Sequence, residues 1–384
     1  MVRVNLIKKA ALKLISRRLL NYGGLFLKPV KHYKIAVIPG DGIGKEVVPE
    51  AIKVIDNVAA QLNFRIDYEF FDWSCETYKA TGRMMPEDAI ETLSGFDSIL
   101  LGAVGFPGVP DHISLWGLLL PIRRQFNQYI NLRPVRLFEG IPSPLANKRV
   151  GDIDFYVVRE NVEGEYSDIG GVFNKGMENE FVLQNSIFTK KGTERVIRYA
   201  FELSKKLNRP HVTSATKSNG IFHSMPYWDE IFASIAVEYP HVSIDQYHID
   251  ILTAYFISKP EYFDIIVGSN LFGDILSDLG PACTGTIAIA PSANINPEKK
   301  FPSMFEPVHG SAPDIYGLNI ANPIGTIWSA AMMLEHLGEQ DGHDKILRAI
   351  ESVVKARATL TADMGGHAST QQLGDAINAE VSRC

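Results

Sequence analysis

YFDIIVGSNLFGDILSDLG, residues 262–280, contains a strand, a loop and a helix in one short stretch. The run DIIVGSN predicts a buried strand, and Asn270 is placed to cap the helix that follows. That helix carries Asp274 and Asp278 four positions apart, which puts both carboxylates on one face, with Cβ atoms about 5–6 Å apart. A strand leading into a helix is the unit from which α/β folds are built.

The two aspartates of this helix have two open interpretations. In the first, Asp274 lies near the positive helix N-terminus and Asp278 is solvated at the surface. In the second, a divalent cation offsets their repulsion, and carboxylate oxygens suit Mg²⁺ or Mn²⁺. A metal site needs a third oxygen ligand. Asp250 is the candidate, because it is a lone acid at the apolar start of another predicted helix.

The same alternation of strand and helix extends along the chain. KIAVIPG (34–40) predicts a strand, and GKEVVPEAIKVIDNVAAQL (44–62) has helical apolar spacing. DIDFYVVREN (152–161) and FVLQNSIFT (181–189) predict two further strands with a turn between them. The fold class is therefore α/β, and 384 residues suffice for two domains or one large two-lobed unit.

Composition excludes several classes of protein. The chain is 46% hydrophobic and 21% charged, and it has no apolar run of the roughly 18 residues that cross a membrane. Three scattered cysteines indicate neither a disulfide framework nor a CxxC metal site, which suits a reducing compartment. The net charge of −6 gives no sign of a nucleic-acid partner.

The charge is distributed unevenly. The first 34 residues hold nine lysines and arginines and no acid, so the remainder carries a formal charge of about −15. Residues 1–32 are predicted to be a basic leader outside the fold. This leader is either an unstructured extension of a cytoplasmic bacterial enzyme or, since it can be drawn as a basic amphipathic helix, a transit peptide for the mitochondrial matrix.

Three arginines occur where a helix or strand gives way to a loop. They are Arg123, Arg133 and Arg159, and Arg159 ends the strand FYVVRE, a position where α/β proteins place groups that face a ligand. Each could be a surface ion-pair partner. Together they predict a site for a small dicarboxylate, which guanidinium groups grip with paired hydrogen bonds.

GDGIG (40–44) does not provide a dinucleotide fingerprint, because its glycines alternate without the GxGxxG spacing. In combination with other motifs, however, it carries a resemblance. GDGIG, LLGAVG, NLRP, VRENVEGEY, SATKSN, GSNLFGDILSDL and EPVHGSAPDIYGLNIANP occur in one order across residues 33–384. This pattern resembles the β-decarboxylating dehydrogenases, the family of isopropylmalate, isocitrate, homoisocitrate, tartrate and D-malate dehydrogenases.

The resemblance implies a two-lobed, doubly wound, isopropylmalate dehydrogenase-like fold distinct from the Rossmann fold, with the active site in the cleft. A large cofactor-binding lobe would comprise residues 33–128 plus 285–384, and a smaller, dimer-forming lobe residues 129–284. The expected homodimer shares its active sites between subunits. Neither nucleic acid nor a membrane is an expected partner.

The resemblance also assigns the site residues. Arg123, Arg133 and Arg159 would bind the substrate carboxylates. Asp274 and Asp278 would bind the metal together with Asp250 of the other subunit. Lys217 would remove a proton at C2 from across the dimer, and Tyr166 would protonate the product carbon. NAD would be bound by His309, Gly310, Ser311, Ala312, Asp314 and Asn322, and Asp314 would repel the 2′-phosphate of NADP.

The segment DHISLWGLLLPIRR (111–124) is expected to read the variable group of the substrate. Trp116 matches a position at which isopropylmalate dehydrogenases have an acidic residue. Pro121 lies in the helix that follows. The bulky indole favours a small group at C3, and the segment is similar to that of D-malate and tartrate dehydrogenases. The expected reaction is the oxidative decarboxylation of D-malate to pyruvate and CO₂, with tartrate as a second substrate. The alternatives are 3-isopropylmalate as substrate, or a catalytically silent paralogue that binds metal and anions.

Overall fold

The computed structural model of the chain describes residues 30–384. Most of the predicted leader, residues 1–29, lies outside the described residues. The first strand begins at Lys31, three residues before the predicted strand over residues 34–40, so its first two residues lie within the predicted leader. Within residues 30–384, no helix has both the length and the apolarity to cross a membrane.

Residues 30–384 contain twelve strands, of which ten form one sheet and two form a separate hairpin. The strands are β1 Lys31–Gly40, β2 Phe64–Phe70, β3 Ser98–Ala103, β4 Ile130–Arg136, β5 Asp154–Glu160, β6 Gly170–Phe173, β7 Phe181–Gln184, β8 His211–Thr216, β9 Ser243–His248, β10 Ile265–Gly268, β11 Pro291–Ile295 and β12 Ser303–Pro307.

Helices follow most of these strands, as the sequence predicted for an α/β protein. They are α1 Gly44–Leu62, α2 Cys75–Thr81, α3 Ala89–Leu93, α4 Asp111–Ser114, α5 Leu120–Gln125, α6 Lys190–Leu207, α7 Ser224–Ala236, α8 Ile249–Ser258, α9 Asn270–Thr284, α10 Ile324–Leu337, α11 Gln340–Ala356 and α12 Thr370–Val381, with a π-helical segment at Leu115–Leu119.

The large sheet has the order β2-β1-β3-β12-β11-β4-β5-β10-β8-β9. Its outer strands pair in parallel, whereas β11 runs antiparallel to both β12 and β4, and β4 runs antiparallel to β5. The strands from residues 31–103 and 291–307 lie on one side of the β11–β4 junction, and those from residues 130–268 lie on the other. One continuous sheet therefore connects the segments assigned to the two lobes, and the lobe boundaries stay a prediction.

Two local predictions were wrong in detail. The helix that carries the aspartates is capped by Ser269, whose hydroxyl accepts a hydrogen bond from the Phe272 amide, and not by Asn270. The Asn270 side chain is engaged elsewhere, as described below. The strand predicted over residues 181–189 ends at Gln184, and it pairs with β6 rather than following β5 in the large sheet.

Helix α9 lies close to β5 because glycine occupies the contact. A Cβ atom added at Gly273 would lie 2.5 Å from the Arg159 Cβ and 3.0 Å from the Arg159 Cα. Both distances are shorter than van der Waals contact, so only glycine permits this approach. The close packing brings the side chains of α9 against the arginine at the end of β5.

We expect Gly273→Ala to lower the free energy of unfolding by roughly 1–3 kcal/mol, the usual cost of overpacking, although alanine favours the helix by about 0.5–1 kcal/mol. Urea unfolding measures the change. Gly95→Ala is the control, because a Cβ there would meet only the Thr92 carbonyl oxygen at 3.5 Å. Equal stability of the two variants would contradict the close packing of α9 on β5.

Candidate active site

Asp274 and Asp278 both face arginines from the central strands. The Asp274 carboxylate forms an ion pair with Arg159 of β5 and lies 3.7 Å from Arg133 of β4. It also accepts a hydrogen bond of 2.6 Å from the Tyr166 hydroxyl. Asp278 accepts a hydrogen bond of 2.9 Å from Arg133. The two acids predicted to share a helix face therefore meet two of the three predicted arginines.

The three arginines are all buried, with 8%, 7% and 2% exposure for Arg123, Arg133 and Arg159. Arg123 pairs with Glu306 of β12 at 2.6 Å. Burial and, less strongly, the neighbouring charges of Arg133 and Arg123 lower the pKa of Arg159 to about 10, against the opposing effect of Asp274. The surface ion-pair interpretation of these arginines was wrong, because their guanidinium groups converge inside the protein.

The two carboxyls respond differently to this environment. Burial alone would raise the pKa of Asp274, but the charges of Arg159 and Arg133 and the hydrogen bond from Tyr166 hold it below its ordinary value. Burial raises the pKa of Asp278, and the negative charge of Asp274 raises it further, against the opposing effect of Arg133. Asp278 therefore remains a site where additional positive charge would be stabilising.

This pair of hard oxygen donors fits a divalent cation such as Mg²⁺ or Mn²⁺. The side chain of Asp278 is 56% exposed, so a metal ion and its waters can reach it. Within residues 30–384, however, one chain does not bring three His, Cys, Asp or Glu side chains together in a metal-binding arrangement. Asp274 and Asp278 are therefore two of the three ligands that the sequence predicted.

Lys217 and Asp250 form a second, separate pair. Lys217 follows β8, Asp250 lies in the first turn of α8, and their side chains form an ion pair of 2.6 Å. The hydrogen bond from Lys217 lowers the pKa of the Asp250 carboxyl. Among the described residues, neither side chain pairs with Asp274 or Asp278, so a single chain does not bring all three predicted metal ligands together.

The predicted NAD loop packs on the start of α1. The Ile43 amide donates to the Ser311 carbonyl at 2.9 Å, and the Gly317 amide donates to the Glu46 carboxylate at 2.5 Å. A Cβ at Gly42 would lie 2.0 Å from the same Ser311 oxygen. The backbone of the GDGIG turn thus supports the loop. This close contact explains why glycine occurs in the turn although the spacing is not that of a dinucleotide fingerprint.

The side chains of this loop are partly available to a ligand. The His309 Nε2 atom is buried without a hydrogen-bond partner, and burial lowers the pKa of the ring. Around Gly310 there is open space, Ala312 is half-buried and Asp314 is exposed. The Asn322 amide is already used, because it donates to Asp363 and accepts from the Ile324 amide. The open loop with an unpartnered ring nitrogen fits a nucleotide with hydrogen-bonding groups.

Comparison with known proteins agrees with this arrangement. Residues 34–377 match the model of the family described as isocitrate/isopropylmalate dehydrogenase. The chain belongs to this family. The chain is 61% identical to D-malate dehydrogenase [decarboxylating] of Escherichia coli (strain K12) over 355 residues, which cover 91% of this chain and 98% of the relative. It is 58% identical to tartrate dehydrogenase/decarboxylase of Pseudomonas putida, with 92% and 99% of the two chains covered.

A solved member of the family has the same architecture. Isocitrate dehydrogenase from Methylococcus capsulatus superposes with a TM-score of 0.82 at 32% identity, covering 91% of this chain and 99% of that one. The family and the α/β fold class expected from the sequence motifs are thereby confirmed.

Sequence reasoning did not predict the contacts of three residues that surround the candidate site. Glu306 neutralises Arg123 and also accepts a hydrogen bond of 2.7 Å from Asn294. Asn270 accepts from Arg159 at 2.7 Å and donates to the Glu163 carbonyl at 2.9 Å. Glu165 accepts from Ser269 and from the first turn of α9. All three lie inside the quoted motifs, but nothing in their spacing reveals their partners.

Glu160 is a buried acid at the end of β5, immediately before the loop that leads to Tyr166. Its carboxylate accepts hydrogen bonds from the Val162 and Glu163 amides, and the nearest cation, Arg195, is 3.9 Å away. Burial raises its pKa from 4.5 to about 7, although the hydrogen bond from the Glu163 amide opposes the shift. Because the folded state favours the protonated form, ionisation of Glu160 destabilises the fold as pH rises.

We expect the free energy of unfolding of the wild type to fall relative to Glu160→Gln as pH rises from 4.5 to about 7, since glutamine does not ionise. Below pH 4.5 and above pH 7 the difference should be constant. Urea unfolding across this range measures it. Glu238→Gln is the control. The hydrogen bond from Arg198 lowers the pKa of the native Glu238 carboxyl, so any change with pH in the stability difference between wild type and this variant should occur below pH 4.5. A constant difference for Glu160→Gln would contradict the raised pKa.

Proposed function

We propose that this protein is an NAD- and divalent-metal-dependent dehydrogenase that converts D-malate to pyruvate and CO₂ and also acts on tartrate. The observation that carries the proposal is that two buried arginines, Arg133 and Arg159, contact an aspartate pair, and the Tyr166 hydroxyl donates to one of these aspartates, Asp274. Arginines suit the carboxylates of a small dicarboxylate, and the aspartates suit a cation. The names of the most similar relatives favour this substrate class over 3-isopropylmalate.

The arginines bind and orient the substrate in this proposal. Each already faces a carboxylate, and a substrate carboxylate can take the place of Glu306 or share the guanidinium groups that now face the aspartates. Because the three side chains are buried, they are held in position before substrate arrives. Because the arginines would hold the substrate in one orientation, its C2–H bond would face the nicotinamide of NAD.

When bound, the metal ion supplies Lewis-acid polarisation of the substrate oxygens beside it. Asp274 and Asp278 would hold it in one subunit, and Asp250 of the other subunit would complete the protein ligands. Lys217 of the other subunit, in its neutral form, would take the hydroxyl proton at C2, and NAD, when bound, would supply the hydride acceptor for C2. Cleavage of the C3–C4 bond of the resulting ketone releases CO₂. Tyr166 then delivers a proton to C3.

Tyr166 is suited to this donor role by its environment. Burial and the hydrogen bond to Asp274 raise its pKa to about 12, so the hydroxyl retains its proton at neutral pH. The Arg159 guanidinium lies 5.3 Å from the centre of the ring and opposes that shift. The hydrogen bond to Asp274 and the contact with Arg159 hold the hydroxyl beside the Asp274 carboxylate, a proposed metal ligand.

NAD is the proposed cofactor, held by His309, Gly310, Ser311, Ala312 and Asn322. The exposed carboxylate of Asp314 supports NAD over NADP, because it accepts from a ribose hydroxyl and repels a 2′-phosphate. Trp116 supports a small substrate, since its indole limits the space beside C3. The relatives are bacterial proteins, which favours a cytoplasmic location over the mitochondrial matrix.

A homodimer is proposed because apolar side chains are exposed where a subunit can cover them. The β6–β7 hairpin exposes Phe173, Phe181 and Val182 at 43%, 53% and 69%. Two strands alone are marginal in water, so this hairpin needs a packing partner. Ile251 of α8 and Ile275 of α9, near the proposed metal ligands, are also exposed at 41% and 45%. Their burial in a dimer would bring Asp250 towards a neighbouring site.

The proposed function is tested by measuring NADH formation with Mn²⁺ and a panel of D-malate, L- and meso-tartrate, 3-isopropylmalate and isocitrate. We expect the highest kcat/KM with D-malate, lower values with tartrate, and pyruvate and CO₂ as products of D-malate. A preference for 3-isopropylmalate would refute D-malate as the main substrate. Absence of turnover on the whole panel would indicate a catalytically silent paralogue that binds metal and anions.

Asp274→Asn is the matched control for that panel, because it removes one metal-binding charge while keeping the shape of the side chain. We expect turnover to fall sharply and to require far more metal. Near-normal activity at limiting Mn²⁺ would exclude Asp274 as a ligand.

Shared sites predict complementation between inactive subunits. Lys217→Ala and Asp274→Ala should each be inactive, but a hybrid dimer contains one site in which both residues are intact. Mixing the variants under conditions of subunit exchange should therefore restore activity, at most to about half of the wild-type level per hybrid. Mass spectrometry verifies the exchange, and exchanged but inactive hybrids would refute the shared site.

A further inference from the structure

Arg124, the residue after the buried Arg123, connects two parts of the candidate active site. Its guanidinium lies 4.5 Å from the ring centre of Trp116, within the range of a cation–π contact. The same guanidinium donates a hydrogen bond of 2.5 Å to the backbone carbonyl of Tyr166. All three residues are half-buried, so these contacts are less screened by water than surface contacts are.

Arg124 is directed away from the arginine cluster. Successive residues of a helix point about 100° apart, so Arg123 and Arg124 of α5 cannot face the same group. Arg123 turns to Glu306 of β12, whereas Arg124 turns to the loop that follows β5. With its planar face on an indole and one N–H on a carbonyl, the Arg124 guanidinium is already engaged and is not placed as a fourth carboxylate ligand.

The π-helical segment Leu115–Leu119 explains how Trp116 comes to lie under Arg124. In an uninterrupted α-helix, residues eight positions apart point about 80° away from each other. One extra residue in a wide turn reduces this difference to about 20°. The irregular turn therefore aligns the indole with the arginine, and π turns of this kind are frequent at functional sites.

Tyr166 is consequently held at both ends. Its hydroxyl donates to Asp274 of α9 at 2.6 Å, and its backbone carbonyl accepts from Arg124. Trp116 and Arg124 belong to the segment assigned to the large lobe, while Tyr166 belongs to the segment assigned to the smaller one. The contact therefore fixes the tyrosine relative to the opposite wall of the cleft.

We propose that Arg124 is a positioning residue for the proton donor Tyr166, oriented for that task by the face of Trp116. The inference rests on the proposed function and deepens it. Its consequence is that losing the planar guanidinium affects the late proton transfer and leaves the binding of substrate unchanged, because Arg123, Arg133 and Arg159 are untouched.

The test is Arg124→Lys, which keeps the charge but loses the planar group that stacks and donates in a fixed direction. We expect kcat for pyruvate formation from D-malate to fall roughly 10- to 100-fold, the effect of a small misplacement of a reacting group. KM should change less than about threefold, and rapid mixing should show a burst of NADH before pyruvate is released.

Arg209→Lys is the matched control. Arg209 also lies over an aromatic ring, 5.2 Å from the centre of Tyr156, and donates to the Asp154 carbonyl, but it contacts none of the proposed site residues. Its replacement should leave kcat and the order of product release unchanged. Similar melting temperatures of the two lysine variants would exclude general destabilisation as the cause of the loss.

Trp116→Phe provides a second, milder variant that keeps an aromatic face. If Trp116 acts through Arg124, adding Trp116→Phe to Arg124→Lys should lower kcat little further. Fully additive losses would overturn the proposal, as would an Arg124→Lys variant that raises KM alone or behaves like the control. Absence of D-malate and tartrate turnover in the wild type would overturn the proposed function and this inference together.

Discussion

The positive charge of Arg159, only 2% exposed, is the constraint around which the site is built. A buried guanidinium costs several kcal/mol unless nearby groups compensate its charge and its hydrogen bonds. Asp274 supplies the charge, and Asn270 accepts two of the N–H donors. Both partners belong to α9, so the need to satisfy one arginine determines where that helix lies. Gly273 permits it to come close enough.

The same requirement extends to the other two arginines. Arg133 donates to Asp278 and Ser277 on the same helix, and Arg123 donates to Glu306 on β12, although the Nε atoms of both arginines are buried without a partner. The three buried arginines, two on central strands and one on α5, are thus paired with acids of neighbouring elements before any ligand arrives. A dicarboxylate and a divalent cation can replace or share these partners with little reorganisation, because the positions of charge are already set.

The loop between β5 and β6 holds Tyr166, the proposed proton donor, beside this electrostatic arrangement. Its acids are used as hydrogen-bond acceptors: Glu163 caps the start of α6 through Thr189, and Glu165 binds the first turn of α9. A loop fixed to two helices can carry Tyr166 with little freedom. Arg124 of α5 adds a further constraint through its hydrogen bond to the Tyr166 carbonyl. Rigid support of this kind is what a proton donor requires, since proton transfer depends on geometry before it depends on pKa.

The sequence alone determined the α/β class, the family and the identity of the charged residues, because strand and helix periodicity and ordered motifs are local properties of the chain. It also predicted that Asp274 and Asp278 share a helix face, which follows from a spacing of four. Only the tertiary structure decided which arginine meets which acid, and that Lys217 pairs with Asp250. It also placed Arg124 between Trp116 and Tyr166. These contacts join residues 33 to 183 positions apart, or depend on an irregular helical turn, and neither is encoded in local periodicity.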